Sequence, residues 1–205
     1  MPRASLIRRE RGSSLVELAL VLPVLLFLAF AAFDFSRAIQ MNNVLVNLTR
    51  EGASLMSRNA DSPVFAQFVM NALGDTAMPT FGDTGQTGTY FEQNSAILVT
   101  QIKGKLNTAT KKVDATVVEQ YKWIKGYIPV GHIWTCGSGN WKSDGSCAMP
   151  ATLPVVVLQV PLNDGDTVYA VEAFNNYQAM FGGLNLGLAA LVPSVGPNLY
   201  AVAMF

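Results

Sequence analysis

The sequence predicts an α+β protein. One long N-terminal helix is expected to span a membrane in its first part and to form the spine of an antiparallel-sheet domain in its second. Three observations carry this. Leu15–Phe33 is a run of 19 residues in which Glu17 is the single charged side chain. Beyond it, Met41, Leu45, Leu48, Gly52 and Leu55 recur at three- and four-residue spacing, the pattern of an amphipathic helix. From residue 95 onward come five short segments rich in β-branched and aromatic residues, bounded by turn residues.

The helix comes first. At 1.5 Å per residue the apolar run covers about 28 Å, the thickness of a bilayer core. Arg3, Arg8, Arg9 and Arg11 precede it against one acid, Glu10, and the first basic residue after it is Arg37. That asymmetry holds the N-terminus in the cytoplasm and sends the remainder across. A secretory signal peptide is the alternative, but its apolar core is only about 7–15 residues and ends in a small-residue cleavage site. FAAFDFSRA offers only a weak match, near Ala29–Ala31. Pro23 removes one backbone bond and is a place for a kink. The stripe's opposite face carries Arg37, Asn42, Asn47, Arg50, Glu51 and Arg58, so a single helix is expected from about Ser14 to Arg58. Asp34 and Arg37 form an i,i+3 pair just beyond the apolar run.

After Arg58 the character changes. Asp61-Ser62-Pro63 is a helix start, and PVFAQFVMNAL (63–73) follows as a short helix. Residues 74–95, rich in Gly, Thr and Asp, read as a long loop. Its GDTGQTG lacks the Gly-Lys-Ser/Thr ending of a phosphate loop. The expected strands are AILVTQI, VDATVVEQYKWI, LPVVVLQVP, DTVYAVEAF and NLYAVAM, packed as an antiparallel sheet on the N-terminal helix. The stretch GGLNLGLAALVPSVGPNLYAVAMF is too broken by Gly and Pro to span a membrane, and reads as core or as a partner surface. The 172 residues after Phe33 suit one domain.

Glu17 needs a reason. An acid within a membrane segment costs roughly 2.5–3.5 kcal/mol on insertion scales and is a functional-site hypothesis by default. The alternative is that it snorkels to water at the interface. Gly12 followed by Ser13-Ser14-Leu15-Val16-Glu17 resembles the processing site of type IV prepilins, cut after the glycine. The wider string RGSSLVELALVLPVLLFLAFAAFDFSRA resembles the TadE-like pseudopilins, minor pilins of the tight-adherence (Flp) pilus system; Pro23 and Asp34-Phe35-Ser36-Arg37 fit that pattern. The resemblance covers about residues 8–58, and is loose in the C-terminal region, through DTVYAVEAFNNY. Leu18 departs from the Tyr that usually follows the Glu in the major Flp pilins, which points to a minor component.

The resemblance implies a pilin-like fold and three parts: a basic leader, residues 1–12, removed by a prepilin peptidase; an N-terminal helix, 13–58, with its membrane part at about 15–33; and an extracytoplasmic α+β domain, 59–205. It also implies other pilins or pseudopilins and an inner-membrane assembly platform as partners. The chemistry of the site follows on its own terms. Cleavage after Gly12 frees an amine on Ser13 with a reference pKa of about 8, largely cationic at neutral pH. Glu17 of a neighbouring subunit can pair with it, strongly in low-dielectric surroundings, and so set the axial register of neighbouring helices. Gly12 suits a peptidase because its backbone extends at low steric cost.

Other residues each admit a structural reading beside a functional one. Cys136 and Cys147 bracket the polar loop GSGNWKSDGS; in an oxidising compartment they are expected to form a disulfide. Free thiols are the alternative. Zinc binding with His132 lacks a fourth ligand. Six Lys fall between Lys103 and Lys125, but alternating apolar residues accompany them and the chain after Gly12 is net −3, so a solvated strand face is expected rather than a nucleic-acid surface. Asn163-Asp164-Gly165-Asp166 reads as a turn between strands; the oxygens of Asp164 and Asp166 also suit Ca²⁺, more weakly. No catalytic constellation and no cofactor motif stands out, and His132 has no motif around it. The reading is a non-enzymatic structural subunit at the bacterial inner membrane. Its rivals are a pseudopilin of a type II secretion or DNA-uptake system, and a signal-anchored extracytoplasmic enzyme or binding protein.

Overall fold

A computed structural model describes residues 10–58, 63–76, 94–177 and 198–205. Helix α1 runs Glu10–Arg58 and α2 runs Pro63–Thr76. The strands are β1 Ser95–Asn107, β2 Lys112–Lys122, β3 Val155–Val156, β4 Thr167–Asn176 and β5 Asn198–Met204, with one 3₁₀ turn at Ser138–Asn140. The chain divides into two compact units, and of the described residues the first holds α1 up to Ile39.

Over Leu15–Phe33 this part of α1 is apolar on every side but for Glu17. Leu15, Leu18, Leu20, Val24, Leu25 and Leu28 are all exposed, and Pro23 sits inside the helix without ending it. A helix hydrophobic all round belongs in lipid. Among the described residues, α1 is the one helix long and apolar enough to cross a membrane.

The second unit starts at Gln40 and holds the rest of α1, α2 and the sheet. Here the same helix is striped. Leu45, Leu48, Ala53 and Met56 are buried, and pack with Ala66, Val69, Met70 and Leu73 of α2 against one face of the sheet. The stripe corrects one expectation. Leu55 is 40% exposed, and Met56, at 2%, takes the core position instead. Gly52 lets α1 come close: a Cβ there would lie 2.9 Å from Leu73 Cδ1 and 3.3 Å from Val171 Cγ1. Gly74 does the same for α2, which lies against the Trp123 indole.

The sheet is antiparallel throughout, in the order β3-β2-β1-β4-β5. β1 is central, and its first eight residues are buried without alternation because both of its faces are covered. The helices cover Ile97, Val99, Tyr121, Tyr169, Val171 and Ala173. The opposite face, with Leu98, Ile102, Val117, Ala170 and Phe174, meets Tyr127, Ile133, Trp134, Trp141, Met149 and Leu158 from the segment between β2 and β4. A register shift at Gln101/Ile102 leaves Val118 as the extra residue of a bulge.

LPVVVLQVP is a second correction. Only Val155 and Val156 pair, with Thr116 and Ala115. Pro154 and Pro161 have no N–H to give a ladder, and the Pro154 carbonyl accepts Val117 N–H at 2.9 Å. Residues 74–76, expected as loop, complete α2. The remainder of that loop, with GDTGQTG, and the apolar stretch 182–197 lie outside the described residues.

Candidate functional site

Gly12 and Ser13 lie in the opening turns of α1. Glu17 stands five residues beyond Gly12, about 7.5 Å along the axis, and is exposed amid the outward-facing Leu and Val side chains. Between Glu17 and Asp34 the sequence carries no polar or charged side chain. Asp34 itself is buried, and the Arg37 guanidinium lies 6.0 Å from the Phe33 ring centre, where the apolar surface gives way to polar residues.

In the sheet domain, the cysteines are joined. Cys136 and Cys147 form a disulfide. Their loop is zipped to the end of β2 as well: Cys147 N–H donates to the Gln120 carbonyl at 2.9 Å, and Lys122 N–H to Gly145 at 2.8 Å. Gly145 sits at φ +83, and a Cβ there would collide with the Lys122 carbonyl. The structure thus places the pair where it staples the segment covering the sheet.

Asp164 and Asp166 use their carboxylates within the turn. Asp164 Oδ1 accepts Leu106 N–H at 2.8 Å, and Asp166 Oδ2 accepts Asn163 N–H at 2.9 Å. Gly165, at φ +90, bonds Gly104 of β1, so the turn docks on β1 instead of joining two paired strands. Among the described residues no three His, Cys, Asp or Glu side chains gather as a metal site. Of the six lysines, five are exposed; Lys122 is half-buried, and its ammonium is held below the usual range by desolvation. Lys125 pairs with Asp75 of α2 at 2.8 Å.

Sequence reasoning missed Glu172. It lies mid-strand in β4, fully buried, and accepts His132 N–H at 2.8 Å and Tyr200 O–H at 3.0 Å on one carboxylate oxygen. The signal was present: an acid in the apolar half of TVYAVEAFNN, where period-two alternation points it at the covered face. His132 is exposed, its ring 4.2 Å from that of Tyr200 and 5.9 Å from that of Phe174.

No curated protein and no solved structure matches this chain. A family model does: residues 12–54 match the TadE-like protein family. The match begins at Gly12 and ends within the buried stripe, so it takes in both the membrane segment and the part of α1 that supports the sheet. With positive charge concentrated just before its one described membrane-length helix and the sheet domain after it, the chain is a single-pass inner-membrane protein with an extracytoplasmic C-terminal domain. Over residues 12–54, within its N-terminal helix, the chain is similar to the TadE-like protein family.

Proposed function

We propose that this protein is a minor pilin or pseudopilin of a tight-adherence pilus machine, processed between Gly12 and Ser13 by a prepilin peptidase and assembled through α1. One observation carries the reading: the TadE-like match falls on a continuous helix that is apolar all round at one end and striped at the other. A helix of that design anchors in lipid before assembly and offers its outer surface to neighbouring helices afterwards, while its far half holds a folded domain. The three-part division at residues 12, 58 and 205 belongs to this proposal, as do the partners: the peptidase, other pilins and the inner-membrane platform.

Glu17 is assigned the register-setting role. Its carboxylate pairs with the freed Ser13 amine of a neighbour, because both charges enter an apolar layer in which neither can stay alone. The decisive experiment is N-terminal sequencing of the protein extracted from membranes, with Gly12→Val alongside. Ser13 as first residue is expected for the native chain, and an uncut precursor, heavier by the 12-residue leader, for the variant, since a β-branched side chain crowds the scissile backbone. Met1 or Pro2 as first residue of the native chain would make the protein a plain signal anchor.

A further inference from the structure

We propose that Glu172 is a proton-operated latch: protonated, it fastens the covering segment 131–136 to the sheet, and ionised, it releases that segment.

The geometry is specific. Glu172 sits between Leu98 of β1 and Val202 of β5 as cross-strand neighbours and is 0% exposed. Its Oε1 takes the two donors, His132 N–H and Tyr200 O–H. Its Oε2 is buried with no hydrogen-bond partner. The backbone closes over that oxygen at Gly131, where an added Cβ would lie 3.2 Å from Oε2 and 2.2 Å from the Trp134 carbonyl. Protonation relieves this site, since the oxygen without a partner then carries no charge. A carboxylate leaves a charged oxygen in the dark without a donor, which is costly until water reaches it.

The same segment has a second fastening that cannot titrate. Gln120 Nε2 donates to the Trp134 carbonyl at 2.9 Å, and Gln120 Oε1 accepts Cys136 N–H at 3.0 Å. Two buried side chains, on the two strands that flank β1, therefore pin one short segment, one sensitive to pH and one not. On opening, the segment stays tethered at Cys136 by its disulfide.

The titratable groups facing Glu172 among the described residues are His132 from the segment and Tyr200 from β5, with Tyr127 in the same apolar cluster. Its neighbours Leu98 on β1 and Phe174 on β4 bring no charge. Burial holds the Glu172 carboxyl above the usual range, and the His132 and Ile133 N–H groups, the Tyr200 hydroxyl and the charge of His132 only partly offset it. The Tyr200 phenol is itself pushed up by burial and by Glu172, and so remains a donor. The closed latch thus holds its proton more tightly than the opened one, in which the carboxyl meets water and titrates at the ordinary value of a solvated glutamate. Its contribution is full below that value and is lost as pH rises through the closed-state pKa, changing the opening equilibrium roughly tenfold per pH unit between the two.

The test is hydrogen exchange on the full chain in detergent micelles, followed from about pH 4 to pH 8 and corrected for intrinsic rates. Protection of the His132 amide should fall roughly tenfold per pH unit across the titration, while the Cys136 amide, held by Gln120, keeps its own. Glu172→Gln should abolish the slope. A His132 protection that is flat or rises with pH, or a slope that survives in Glu172→Gln, overturns the proposal. Should that variant fail to fold, Tyr200→Phe decides: losing a donor that favours the carboxylate must move the fall to higher pH, and an unmoved profile overturns the latch equally.

Discussion

Leu15–Phe33 and Met41–Arg58 belong to one helix and are both rich in apolar side chains, yet they treat them in opposite ways. In the first, Leu15, Leu20 and Leu28 are 68%, 71% and 62% exposed; in the second, Leu45 and Leu48 are 1% and 4% exposed. Arrangement separates them more than content. The first stretch is apolar on all sides, and no single packed face could cover it. The second confines its apolar residues to a stripe that α2 and the sheet do cover. Lipid or neighbouring helices must therefore satisfy the first half, and the protein's own core satisfies the second.

The largest test of that contrast is at Glu17, the one charge inside the outward half. Glu17→Leu makes this half uniformly apolar, which favours a helix needed only as an anchor. In the pilin reading it strips the Ser13 amine of a neighbour of its partner. The variant is expected to insert, to be cut after Gly12, and to abolish piliation and crosslinking to partner pilins at native protein level. Normal piliation would mean that the outward half is an anchor and nothing more.

Next in size is a matched pair of truncations. Leu45→Ala empties a core position and is expected to cost about 2–5 kcal/mol. Leu25→Ala, in the outward half, should leave unfolding of the domain within about 0.5 kcal/mol of native. Chemical denaturation of the full chain in micelles, read by the fluorescence of buried Trp123, measures both. Equal losses would erase the distinction between the halves.

Much of this was legible in the sequence because periodicity records what covers a helix. The all-apolar run, the stripe, the end of α1 at Arg58 and four of the five strands follow from spacing and turn residues alone. The disulfide followed from topology and a short loop. What escaped depends on who sits opposite. LPVVVLQVP has the composition of a strand, but its prolines and its place at the sheet edge leave two paired residues. Glu172 looked like an ordinary strand residue, because alternation tells which face a side chain takes and cannot tell that a distant segment, 131–136, closes over that face. Gly52 and Gly74 likewise acquire their meaning only from Leu73, Val171 and Trp123.

The smallest effect tests the stripe's edge. Spacing alone admits Leu55, since it follows Gly52 by three. At about 100° per residue, however, Leu55 lies about 80° around the helix from Leu45, whereas Met56 lies within about 20° of it. The angular drift carries Leu55 off the covered face, onto a shallow open hollow lined by Arg50, Glu51, Ser54, Arg58 and Phe205. At 40% exposure it has already kept much of its contact with water, so truncation forfeits little transfer free energy and leaves no closed cavity. Leu55→Ala should therefore cost less than about 1 kcal/mol, and Met56→Ala about 2–5 kcal/mol, in the same denaturation assay. If Leu55→Ala proved as damaging as Met56→Ala, the inward half would be covered over a wider arc than α2 and the sheet provide, and some further element would have to lie against that hollow.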